Sequence, residues 1–206
     1  MKLERWTALM AALGFNRNEA VFESLIAAYA QKHRHYHTAT HIDACLHQLD
    51  RCLQQAEQPA EIEIALWFHD AIYRPLSGDN ERKSAEWASR FMMENSATDA
   101  AVARVHELIM VTRHNIETKT KDQALLVDID LSILGTDEET YGRFEEAVRR
   151  EYRLVPSLLY RRKRAEILNS FLLRPMIYQN EPFRSELESQ ARANLANAIR
   201  RLSAHG

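Results

Sequence analysis

The sequence is short of the residues that let a chain turn sharply, with five glycines and five prolines among 206 residues. A many-stranded sandwich or barrel needs tight turns at frequent intervals. No stretch alternates apolar and polar residues with period two, so both signals argue against an all-β architecture. Cysteine is scarcer still. Cys45 and Cys52 are seven residues apart and fall on one face of a single helix, which suits two small buried hydrophobes better than a disulfide. Charge of one sign is also missing: 27 Lys and Arg against 29 Asp and Glu leave a formal charge of -2, which points away from nucleic acid as the main partner. No apolar run approaches ~18 residues, and the opening MKLERWTALMAALGF is too polar and broken for a secretory signal. Together these absences lead us to expect a reduced, cytoplasmic chain with neither nucleic acid nor membrane as partner.

What is present favours helices around a sizeable core. Hydrophobic residues make up 46% and charged residues 27%, a balance that argues against disorder. Apolar residues recur at helical spacing from Trp6, Leu9 and Met10 to Leu195, Ile199 and Leu202. Thr38 or Thr40 can cap a helix whose apolar stripe is Ile42, Cys45, Leu46, Leu49, Cys52 and Leu53. Pro59 takes the favoured first position of the next helix, which Arg74-Pro75 is expected to end. Thr98 opens a helix ending near His114. Asp122 is expected to cap one that runs to Leu134, closed by Gly135. Thr136-Asp137-Glu138-Glu139 has capping-box form, and Pro156 and Pro182 open two more helices. The expected fold is all-α: a single-domain helical bundle over residues 1–206, with a core at about 33–135 and additional C-terminal helices at about 136–206.

A few ionisable residues sit where such helices should be oily. Leu66-Trp67-Phe68-His69-Asp70-Ala71-Ile72-Tyr73 places an imidazole and a carboxylate side by side in an apolar run. Burying a carboxylate costs several kcal/mol unless it is paired, and a divalent cation would satisfy both residues at once. Neighbours on a helix point about 100° apart, so such a site needs ligands from other helices. His41 lies at the edge of the buried face of its helix. Asp128 and Asp130 lie inside the apolar run from Ala124 to Leu134. Each has a structural reading too, the His as a satisfied core residue and either Asp as an arginine's partner. The two aspartates, about 200° apart around a helix, cannot easily share one ion.

Taken in order (His41, then His69-Asp70, then the Asp within Val127-Asp128-Ile129-Asp130-Leu131), the set resembles the HD-domain superfamily of metal-dependent phosphohydrolases. The likeness spans roughly residues 33–135. Arg34-His35-Tyr36-His37-Thr38, Trp67-Phe68-His69-Asp70, Asp128 to Gly135 and Glu188 to Leu195 look like a bacterial branch of it. The resemblance implies a helical bundle of the HD type holding one divalent transition metal through His41, His69, Asp70 and Asp130. Asp130 is favoured over Asp128 because the apolar Leu131 follows it directly. Mixed nitrogen and oxygen donors suit Mn, Fe, Co, Ni or Zn better than Mg or Ca.

The implied activity is hydrolysis of a small phosphorylated substrate, nucleotides included, by metal-activated water, with His69 and Asp70 as catalytic residues. Arg34, His37 and His114 are the candidates to bind the substrate. The Glu that some nucleotide-cleaving members carry just after the doublet is missing here; the first Glu beyond it is Glu81. Two rivals share the scaffold: a di-iron oxygenase using His106 and His114 for a second iron, and a non-catalytic metal- or ligand-binding protein. A homodimer is left open.

Overall fold

The structure, a computed structural model, describes residues 1–204. Ten α-helices account for the regular structure of these residues, and no strand occurs among them: α1 (Leu3–Leu13), α2 (Glu19–Tyr29), α3 (Ala39–Cys52), α4 (Pro59–Phe68), α5 (Asn80–Glu94), α6 (Asp99–Met110), α7 (Lys121–Asp130), α8 (Glu138–Glu151), α9 (Ser157–Leu172) and α10 (Phe183–Ser203). The chain forms two compact units, Met1–Val127 and the part from Asp128 onward, divided inside α7. Among the described residues no helix is long and apolar enough to cross a membrane.

The first unit is built around α4. Ile62, Ile64, Ala65, Leu66, Trp67 and Phe68 are all fully buried, so this helix is apolar all round, as a core helix must be. α1, α3, α5 and α6 pack against it. Trp6 of α1 meets Trp67 edge-on at 5.3 Å, and Phe68 stacks on Phe91 of α5 at 5.5 Å, geometries that add to simple area burial. Glu61, buried in the same helix, takes a two-pronged hydrogen bond from Arg104 at 2.7 and 2.6 Å. Cys45 and Cys52 are both buried and are not joined by a disulfide.

Three local expectations change. α4 stops at Phe68, well before Arg74-Pro75. α7 begins at Lys121, so Asp122 lies inside its first turn, and its carboxylate accepts the backbone N–H groups of Glu57 and Gln58 at 2.8 Å. It therefore satisfies donors at the start of α4, which a helix leaves open. α7 also ends early, at Asp130, and a 3-10 turn covers Leu131–Gly135.

In the second unit α10 packs along α9 and along that 3-10 turn. The Asn194 amide holds the turn by donating to the carbonyls of Leu134 and Thr136 at 2.9 and 2.8 Å. Asp137 caps α8, accepting from the N–H of Thr140. Within the basic run 161–164, Arg162 and Lys163 pair with Glu166, while Arg164 turns inward to Glu145.

Gly135 has a role other than the helix-ending one expected. A β-carbon placed there would lie 2.5 Å from Leu187 Cβ and 2.8 Å from the Leu187 carbonyl oxygen. The residue is therefore glycine because α10 passes too close for any side chain. Gly135→Ala should cost about 1–3 kcal/mol through overpacking. Gly142→Ala, inside α8 with nothing within 4 Å of the new methyl, should be neutral or stabilising by up to about 1 kcal/mol. Thermal melts of both variants check this, and equal melting temperatures would refute the close-approach argument.

Candidate metal centre

Two helix ends of the first unit supply the chemistry. His41 lies in the first turn of α3 and is buried, its ring 4.8 Å from that of Tyr36 and its Nδ1 3.7 Å from Cys45 Sγ. His69 directly follows the last residue of α4, and its Nδ1 is 2.9 Å from the Leu66 carbonyl. A carbonyl can only accept, so Nδ1 carries a proton and, in the neutral ring, Nε2 presents its lone pair. Ligating histidines are oriented by such a tether on the opposite ring nitrogen. Because α4 has already ended, Asp70 escapes the 100° offset of helical neighbours and lies in the turn beside His69.

The three polar side chains converge closely. His69 Nε2 is 3.2 Å from His41 Nε2 and 3.1 Å from Asp70 Oδ2, and His41 Nε2 is 3.6 Å from the same oxygen. Donors ~2.1 Å from one ion at right angles stand roughly 3 Å apart, which matches. A proton on His41 Nε2 could bridge to His69, but His69 Nε2 and Asp70 Oδ2 would still face each other acceptor against acceptor. Such a contact needs a shared cation, either a proton or a metal. His41 and His69 both belong to a group that could hold a metal ion.

The electrostatics favour an ionised carboxylate. Burial would push the Asp70 carboxyl up, but wherever His69, His37 and His41 carry a proton, their charge, together with the hydrogen bond that a protonated His69 Nε2 donates, carries it well below the ordinary carboxylate range. Burial, and then the Asp70 charge, push the phenol of Tyr29 well up. It stays protonated and donates to the Trp67 carbonyl at 3.0 Å.

The other expected residues fall as follows. His37 is partly exposed and stacks on Tyr73 at 4.1 Å, near enough to Asp70 to lower its pKa. His114 closes the 3-10 turn after α6 in a left-handed conformation, φ 56°. Arg34, expected to meet substrate, is only 5% exposed. It donates to Gln31 and to the carbonyls of His37, Asp70 and Ala71, so at least four of its five N–H groups serve the protein. His106 lines a shallow surface hollow with Ser89, Asp99, Val102, Ala103 and Glu107. Among the described residues no second group of three potential ligands converges.

Asp128 faces another way from Asp130. Fully buried, it accepts from the backbone N–H groups of Gln179 and Asn180 and from the Asn180 amide, at 2.7–3.0 Å. Tyr29, Tyr73, Ser84 and Asn80 hold the end of α4 and the doublet's turn through hydrogen bonds and the Arg34 guanidinium. Their spacing carries no chemical motif, so only coordinates reveal the role. No family model, curated protein or solved structure matches the chain.

Burial pushes the Asp128 carboxyl up to about 6, against the pull of the Gln179 and Asn180 donors. A folded pKa above the unfolded value of about 3.9 means this group's contribution is complete below pH ~4. It is lost as pH rises through about 6, at a cost of about 3 kcal/mol. Asp128→Asn keeps an acceptor for Asn180 but does not titrate. Urea midpoints should fall between pH 4 and 7 in the wild type and less in the variant, with metal content unchanged. An equal fall in both would exclude Asp128 as the source.

Proposed function

We propose that the chain is a metal-dependent phosphohydrolase of the HD type acting on a small phosphorylated substrate. The observation that carries this reading is the convergence of His41 Nε2, His69 Nε2 and Asp70 Oδ2 at 3.1–3.6 Å, a set of acceptors that calls for a cation. His41, His69, Asp70 and Asp130 would hold one divalent transition ion. When bound, that ion supplies a Lewis acid for a phosphoryl oxygen and lowers the pKa of a bound water toward neutrality.

The chain's own groups do the rest. The tether from His69 Nδ1 to Leu66 turns its Nε2 toward His41 and Asp70. The ionised Asp70 has a second oxygen that can accept a hydrogen bond from an attacking water and so orient it. His37, partly exposed and steadied by the Tyr73 ring, is the side chain best placed beside the centre to meet a phosphate oxygen. The rival oxygenase reading has less support, since His106 and His114 join no ligand group among the described residues.

The test is metal analysis and turnover of protein stripped with a chelator and reloaded with Mn²⁺, Fe²⁺, Co²⁺, Ni²⁺ or Zn²⁺. His69→Ala and Asp70→Ala should each weaken metal binding by at least ~100-fold while leaving far-ultraviolet circular dichroism largely intact, because other helices supply most of the core. One ion per chain together with phosphate release from a phosphoester panel supports the hydrolase. Two irons with an optical band would favour the oxygenase, and no release on any substrate would favour a binding role. Full metal content in both variants would end the metal reading altogether.

A further inference from the structure

The sequence offers Arg34 as a phosphate ligand, and the structure gives it different work. Its guanidinium is buried between the rings of Tyr29 and Tyr73, 5.1 and 5.5 Å from their centroids. One arm donates to the Asp70 carbonyl at 2.6 Å and the His37 carbonyl at 3.1 Å, and the other donates to the Ala71 carbonyl at 2.9 Å. These acceptors come from two separate segments: the turn that carries Asp70 and the segment that leads into the helix of His41. One planar group therefore ties both ligand-bearing segments together by their backbones.

The attachment is strong for physical reasons. Carbonyls just beyond a helix end carry the negative end of its dipole and lack helical partners, and a charged donor bonds them more tightly than a neutral one. The fork is rigid, so it fixes the spacing of successive carbonyls in a way an ammonium cannot. Other contacts on the same turn leave it little freedom. Ile72 N donates to Ser84 Oγ at 3.0 Å, Arg74 N donates to Asn80 Oδ1 at 3.0 Å, and His33 Nε2 is 2.8 Å from the Tyr73 carbonyl. Arg34 grips the carbonyl of the Asp70 peptide directly.

We infer that Arg34 is a positioning residue of the metal centre. By gripping the Asp70 and Ala71 carbonyls it sets the turn that brings Asp70 Oδ2 beside both imidazoles, and it makes no contact with substrate. This rests on the metal reading above, and the test separates the two. Arg34→Lys keeps the charge and most of the stem but loses the fork.

The experiment is a double-mutant cycle on Co²⁺ affinity: wild type, Arg34→Lys, Asp70→Ala and the double variant, with Co²⁺ itself as ligand and visible probe. Arg34→Lys should weaken binding about 10-fold or more and change the Co²⁺ visible spectrum. In the Asp70→Ala background it should have little further effect, because the ligand through which it acts is gone. An equal loss in both backgrounds, or a wild-type spectrum with only a lowered melting temperature, would make Arg34 a purely structural clamp and overturn the inference. If Arg34→Lys does not fold, Arg34→Gln takes its place in the same cycle. If neither folds, the inference falls, since Arg34 is then needed for the fold itself. Wild-type protein that binds no Co²⁺ would instead overturn the metal reading.

Discussion

His69 Nε2 and Asp70 Oδ2 stand 3.1 Å apart, and the Leu66 carbonyl has already claimed the proton of the His69 ring. Two acceptors so close in a dry place repel unless a positive charge sits with them. That requirement explains why polar groups interrupt the most apolar stretch of the chain. It also explains why the neighbouring His41 matters: it adds a third acceptor. A proton would answer one contact, whereas a divalent ion answers all of them and balances the charge.

The surrounding structure holds that contact in place. α4 is buried on every side, so its end is a fixed platform from which His69 projects. The backbone beyond it abandons the helix because side chains take over its hydrogen bonds: Arg34 on the carbonyls, Ser84 and Asn80 on the N–H groups. With each polar backbone group answered in this way, the turn can leave helical geometry without stranding buried donors or acceptors. The second unit uses the same device elsewhere. Asp128 and Glu188 accept the successive N–H groups of residues 177–180 and hold an irregular segment in place.

The sequence by itself determined the helical class, because scarce glycine and proline with apolar residues at helical spacing leave few other ways to bury a core. It also marked His41, His69, Asp70 and the pair Asp128 and Asp130 as anomalies, since charge in an oily helix costs too much to be accidental. Only the tertiary structure decided where α4 and α7 stop, that Gly135 answers to Leu187, that Asp128 serves the 177–180 segment, and that Arg34 grips backbone rather than facing a ligand. The reason is common to all four. Periodicity reports which face of a helix is buried, but helix ends, close approaches and the partners of polar groups depend on residues distant in the chain, and no local pattern encodes them.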